Sequence, residues 1–228
     1  LLAELVKAVK EGAPTLPISI KTRLGYDQDI VEDWVKYLAD LEPAAITLHA
    51  RTREEMSAVP ARWDAVGRAV AVLKGIGCPA KVVLNGDVTS IAQARHLAAE
   101  TGADGVMIGR GVFGNPWVFN PETRYDLPRW RERLRVMLEH TQLFDQFYGN
   151  GRNFEIMKKF YKAYSSDFPD AKELRLRLMD CHQPSEVYAV TYEFLARHGV
   201  HDLLPELPAL AGAGTLAHTV SPAAEETP

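Results

Sequence analysis

The sequence is poor in cysteine. Only Cys78 and Cys181 occur in 228 residues, too few for a disulfide framework, so a reducing, cytoplasmic setting is expected. No spacing of Cys and His suits zinc, and no metal is expected. No apolar run is long enough to span a membrane, and no signal-peptide pattern opens the chain. Charge of one sign is also lacking. The net charge is −4 and the isoelectric point about 6.0, so binding to nucleic acid would require a local basic patch. Repeats of solenoid period are absent. An initiating methionine is absent too. Leu1, Leu2, Leu5, Val6 and Val9 form the apolar face of a helix already under way, which leads us to expect a chain that starts inside a domain.

What is present centres on Lys81 to Gly111. Val82-Val83-Leu84 is a short apolar strand ending in Asn85-Gly86-Asp87. Thr89 or Ser90 is placed to cap a helix with apolar positions Ile91, Ala94, Leu97 and Ala98, and Gly102 to end it. Val106-Met107-Ile108 is a second strand ending in Gly109-Arg110-Gly111. Two parallel strands that each finish in a glycine-containing polar turn match the phosphate-binding end of a (β/α)8 barrel. Glycine lets backbone N–H groups approach phosphate oxygens, and arginine adds charge.

Upstream, Pro17 to Leu24 alternates with period two: Ile18, Ile20, Thr22 and Leu24 on one face, Ser19, Lys21 and Arg23 on the other. A helix capped by Asp27 or Asp29 follows, with Ile30, Trp34 and Leu38 as its expected face. Ala45 to Arg51 is the next strand, with Thr47, His49 and Arg51 on its polar face. Trp63, Val66, Val70 and Leu73 mark another helix. Alternating strands and helices predict a parallel sheet with right-handed crossovers. Polar side chains gather at the C-terminal ends of these strands, where a barrel places its active site. Four strand–helix units make half of an eight-fold barrel, so strands one to four are expected upstream of residue 1. An open doubly wound sheet would put its ligands at the same edge.

Beyond Asn115-Pro116 no strand pattern is found. Helices are expected from Trp130 to about Tyr148, Arg152 to Tyr164, Asp170 to Met179 and Ser185 to His198. The tail from Pro205 is rich in Pro, Ala, Gly and Thr, and disorder is expected there. The domain reading is therefore a half-barrel over 1–120, a helical domain over 121–204 and a tail over 205–228.

Several side chains invite chemistry. Lys21 points into the barrel mouth, where an ammonium needs an anion: a ligand, or a carboxylate such as Asp87. His49 lies one strand over on the same face. Asn85 can pair with a heterocycle edge or close its own turn, and Asp87 can serve as a helix cap. Arg51 and Arg53 suit an anionic substrate or simply solvent. In the helical region Arg152, Lys158, Lys159 and Lys162 interleave with Phe154, Phe160, Tyr161 and Tyr164. That pattern suits RNA phosphates and bases, and equally a core of aromatics with solvated lysines between them. Cys78, before the third strand, reads as a small buried residue rather than a nucleophile.

Taken in order, ISIKTRLG, ITLHARTR, VVLNGDV and GADGVMIGRGVFGNPWVF resemble the second half of bacterial tRNA-dihydrouridine synthases, and FPDAKELRLRLMDCHQPSEV looks like their C-terminal helical domain. The resemblance runs from about residue 1 to about residue 200. It implies a (β/α)8 barrel that uses FMN and NADPH to reduce uridine to dihydrouridine in tRNA. It also implies that Lys21 and His49 contact the flavin ring, and that Asn85, Gly86, Asp87, Gly109 and Arg110 hold its ribityl and phosphate parts. Arg23, Arg51, Arg53, Lys158 and Lys159 would then face RNA, on a protein that is monomeric when full length. One departure stands out. The family's proton donor is a cysteine in an Asn-x-Gly-Cys-Pro turn, and neither that turn nor the Met-Ala-Gly flavin turn occurs here. No catalytic residue is therefore assigned, and these 228 residues alone are expected to be inactive. Two other readings stay open: an FMN barrel oxidoreductase acting on a small molecule, and a non-catalytic RNA-binding remnant.

Overall fold

A computed structural model describes residues 1–120 and 130–200 of the chain. The chain divides into two compact units, parting between residues 124 and 125. The expected boundary at 120–121, the one at 204–205 and the tail lie outside the described residues.

The first unit runs α1 (Leu2–Gly12), β1 (Ser19–Arg23), α2 (Val31–Ala39), β2 (Ala45–His49), α3 (Trp63–Gly75), β3 (Lys81–Asn85), α4 (Ile91–Thr101) and β4 (Gly105–Met107), followed by a 3-10 turn at Arg110–Val112. The four strands form one sheet in the order β1-β2-β3-β4, and every pair is parallel. Strands alternating with helices in this way fit an α/β, TIM-barrel-like fold.

Period two decides which face meets the helices. Ile46 and Leu48 of β2, with Val82 and Leu84 of β3, join Val35 and Leu38 of α2, Val66, Val70 and Leu73 of α3 and Leu97 of α4 in one core. The opposite face carries Lys21, Arg23, Thr47, His49, Val83, Asn85 and Met107. Arg23 is in register with His49, His49 with Asn85, and Asn85 with Met107. These four residues make one row at the C-terminal ends of the strands. Helix α4 has the expected ends: the Ser90 hydroxyl accepts from Gln93 N–H, and Gly102 stops the helix at φ 70°. Helix α2 is turned from the expected face. Val31, Val35 and Leu38 are buried, whereas Ile30 is about half exposed. The Trp34 indole N–H donates to Thr22 Oγ1 at 3.0 Å, so Trp34 lies beside β1, with Ile30 outermost.

The second unit is helical over its described residues: α5 (Trp130–Tyr148), α6 (Lys158–Tyr164), α7 (Ala171–Met179) and α8 (Pro184–Arg197). The helix expected over 152–164 is broken. Phe154–Met157 is a 3-10 turn, opened by Asn153, whose side chain accepts from Glu155 N–H. Leu138, Tyr161, Leu174 and Phe194 are fully or almost fully buried at the centre of this unit.

Leu48 is wholly buried in the first core. Leu48→Ala is expected to destabilise the first unit by about 2–5 kcal/mol. Chemical denaturation of the two proteins measures the difference.

Candidate functional site

The row of strand ends opens into a cavity of about 780 Å³. Lys21 of β1, His49 of β2, Asn85, Gly86 and Asp87 after β3, and Gly109 and Arg110 after β4 all line it. All seven residues expected to hold a cofactor are therefore brought to one place. Arg23, Ser57, Val88, Thr89, Met107 and Gly111 line it as well.

The turn after β3 is shaped by two consecutive left-handed residues, Gly86 at φ 126° and Asp87 at φ 54°. The Gly86 carbonyl accepts from the Trp63 indole N–H at 2.8 Å, which ties the turn to α3. Asp87 is thereby aimed back across the sheet rather than onto α4, and it does not cap that helix. Its carboxylate accepts from Arg51, from Ala61 N–H at 3.2 Å and from Arg110 Nη2 at 3.0 Å. Burial by itself would raise the Asp87 carboxyl. The hydrogen bonds from Arg51 and Ala61 and the charges of Arg51 and Arg110 outweigh it, and the group is held below the usual carboxylate range. The neighbouring turn fits closely. A Cβ at Gly111 would come within 2.5 Å of the Val88 carbonyl oxygen and 3.0 Å of Thr89 Cα, so the turns after β3 and β4 pack backbone to backbone. Asn85 bridges the same two strands, donating from Nδ2 to the Met107 carbonyl at 2.8 Å.

Arg51 was expected to face RNA; the structure places it inside. Only 2% of its surface is exposed. Nε donates to the Val59 carbonyl at 2.5 Å, Nη1 lies 3.3 Å from His49 Nε2, and Nη2 pairs with Asp87. The expected strand ends at His49, two residues before Arg51, which a bend turns inward. The partner of Arg51, Asp87, 36 residues away, was not legible in the sequence. Arg23 lines the cavity, with Nη1 donating to the carbonyls of Thr52 at 2.8 Å and Met56 at 3.1 Å. Arg53 lines a second hollow of about 420 Å³ with Thr22, Gly25, Tyr26, Ile30, Trp34 and Arg23, and Arg23 borders both. Glu55 secures the intervening loop by accepting from Arg62 at 2.5 and 3.0 Å and from Thr52 N–H at 2.7 Å.

The charge of the cavity follows. Lys21, Arg23 and Arg110 face it, with Asp87 as the one carboxylate among the described residues that line it. Asp87 is taken by two arginines, so it does not neutralise Lys21. Among the described residues Lys21 has no carboxylate partner. Burial and the nearby Arg23 push its pKa down. His49 is held neutral, its pKa lowered to about 4 by burial and by the charges of Arg23, Lys21 and Arg51. Such a lining favours an anion with further acceptor atoms.

In the second unit Lys158 Nζ pairs with Glu155 at 2.6 Å, and Lys159 lies over the Phe160 ring at 4.7 Å. Tyr161 and Tyr164 are buried, so the interleaved pattern here is an aromatic core with lysines at its surface. Lys159, Lys162 and Lys172 are exposed. Cys181 is buried, its thiol donating to the Arg177 carbonyl at 3.4 Å, and burial pushes its pKa up; this is no setting for a nucleophile. Cys78 is half-buried beside the first core. No group of acidic, His or Cys side chains among the described residues suits a metal ion. No described helix is long and apolar enough to cross a membrane.

The sequence model of the family described as "Dihydrouridine synthase (Dus)" matches residues 1–198. A "Probable tRNA-dihydrouridine synthase" of Staphylococcus aureus (strain Mu50 / ATCC 700699) is 36% identical over 197 residues, which cover 86% of this chain and 59% of the relative. A protein of the same name from Staphylococcus epidermidis (strain ATCC 12228 / FDA PCI 1200) gives the same figures: 36%, 86% and 59%. "Probable tRNA-dihydrouridine synthase 2" of Bacillus subtilis (strain 168) is 34% identical over 194 residues, covering 84% of this chain and 58% of the relative. The chain thus spans a little under three-fifths of the length of these curated relatives.

The state of His49 has a stability signature. Its folded pKa of about 4 lies below the ordinary value of 6.5, so between those values the unfolded chain binds the extra proton. Stability is then expected to fall as pH drops from about 6.5 to about 4. Denaturation midpoints across that window measure the slope, and His49→Gln is expected to make it shallower.

Proposed function

The chain belongs to the dihydrouridine synthase family, and on that footing we propose that it supplies the flavin-holding and RNA-binding parts of a tRNA-dihydrouridine synthase. The reaction proposed for the whole protein is the NADPH-driven, FMN-dependent reduction of uridine to 5,6-dihydrouridine in tRNA. The first unit is then the second half of a (β/α)8 barrel, and the helical unit a tRNA-binding domain.

One observation carries this reading: among the described residues the cavity holds three cations against one carboxylate, and that carboxylate is already shared by Arg51 and Arg110. The residues suit FMN. Gly109, Gly111 and Arg110 form a close-packed turn with N–H groups and a cation for a phosphate. Asn85, Gly86 and Asp87 offer polar partners to a ribityl chain, and Asn85 is already held in place by the Met107 carbonyl. His49 and Lys21 stand on the next strands for the ring. When bound, the flavin supplies the hydride chemistry. The chain's own part is to bind and orient. Lys21, without a carboxylate partner among the described residues, favours negative charge where it points, and the neutral His49 presents an uncharged imidazole beside it. Arg23 and Arg53 on the first unit, with Lys158 and Lys159 on the second, are the proposed RNA contacts. Arg51, out of water, is not proposed as one. No proton donor for the base is assigned to this chain.

Titration of the purified protein with FMN, followed by flavin fluorescence, tests the reading. Saturable binding is expected, and Arg110→Ala is expected to weaken it about tenfold or more, the value of a lost charge-assisted hydrogen bond. A salt-dependent gel shift with tRNA is expected alongside. Multiple-turnover formation of dihydrouridine by these 228 residues is expected to be absent. FMN binding that is indifferent to Arg110→Ala would overturn the assignment of the site.

A further inference from the structure

The inward-turned Arg51 does more than balance Asp87. Three of its nitrogens are committed in three directions. Nε is used by the Val59 carbonyl at 2.5 Å, Nη2 by Asp87, and Nη1 lies 3.3 Å from His49 Nε2. A guanidinium carries donors only and stays protonated at any working pH. A contact between Nη1 and Nε2 is therefore a hydrogen bond only if Nε2 is the acceptor. In a neutral ring the proton must then sit on Nδ1.

The packing of the ring leaves Nδ1 as the nitrogen available to the cavity. Its Nε2–Cδ2 edge is backed by Gly86, where an added Cβ would stand 3.1 Å from Cδ2 and 3.5 Å from Nε2. Nδ1 has no partner among the described residues, and His49 lines the cavity. We propose that Arg51 is a positioning residue that locks His49 in its Nδ1–H form, so that the cavity meets its ligand at this point with a donor and not a lone pair. The chain of command is Asp87 to Arg51 to His49. It selects for a carbonyl oxygen, an unprotonated ring nitrogen or an anionic oxygen opposite His49, and against an N–H. The lock itself is independent of the ligand; only the naming of its acceptor as flavin rests on the function proposed above. Free imidazole in a peptide favours the Nε2–H form in water, so the lock reverses the default and can be read directly.

The experiment is a two-bond 1H–15N spectrum of the full chain labelled with 15N-histidine at pH 7, where His49 is neutral. His49 is identified by the signals lost in His49→Gln. In the unsubstituted protein Nδ1 is expected to give the protonated, pyrrole-like signal and Nε2 the pyridine-like one. In Arg51→Met, which keeps an apolar stem and removes the donor, the pattern is expected to move towards Nε2–H while the other six histidines hold their positions. A proton on Nε2 in the unsubstituted protein overturns the proposal, whether or not the variant folds. So does an unchanged His49 pattern in a folded Arg51→Met. Adding FMN separates the two readings. A shift of the His49 Nδ1–H signal supports both, whereas no binding of FMN beside an intact Nδ1–H pattern overturns the flavin assignment and upholds the lock.

Discussion

The pairing of Arg51 with Asp87 is the constraint on which the site depends. A guanidinium with almost no exposed surface must find an acceptor for each donor it turns inward, or the fold loses more than the charge returns. Here the acceptors come from three separate pieces of chain: the loop after β2 through Val59, the end of β2 through His49, and the turn after β3 through Asp87. Arg110 reaches the same carboxylate from the turn after β4. One ion pair thus sets the mutual positions of turns that sequence separates by dozens of residues. Among the described residues it also leaves Lys21 without a carboxylate, which keeps the cavity receptive to an anion.

Much of this was legible in the sequence because it follows from periodicity. Alternation in β1 and β2 placed Lys21 and His49 on one face, and glycine-bearing turns singled out the ends of β3 and β4. The helix ends at Ser90 and Gly102 follow from capping chemistry alone. What escaped depended on tertiary partners. Helix α2 buries Val31 and Val35 rather than Ile30, because Trp34 spends its indole N–H on Thr22 beside β1. The break at Phe154–Met157 follows an Asn153 turn that competes with the helix. Arg51 illustrates the limit best. It lies past the end of β2, and whether it met solvent or a carboxylate turned on Asp87, whose left-handed backbone no periodicity reveals.

The two cysteines teach the complementary lesson. Cys181 has a raised pKa and a satisfied thiol, and Cys78 is half-buried beside the first core. Each fills space. The polar chemistry of the described chain is gathered instead at the strand ends of the first unit, where no cysteine occurs. Holding a ligand and protonating a substrate are separable tasks, and the function proposed above asks only the first of these residues.

The in-register row at the strand ends has a geometric consequence. Arg23, His49, Asn85 and Met107 share one level of the sheet, whereas Lys21 stands two residues earlier on β1 and so about 7 Å deeper along the strand axis. The turn bearing Arg110 lies beyond the row, over β4, three strand spacings or about 14 Å to the side. At the backbone the two positions thus differ in both height and lateral place, and the sheet's own ladder sets that offset.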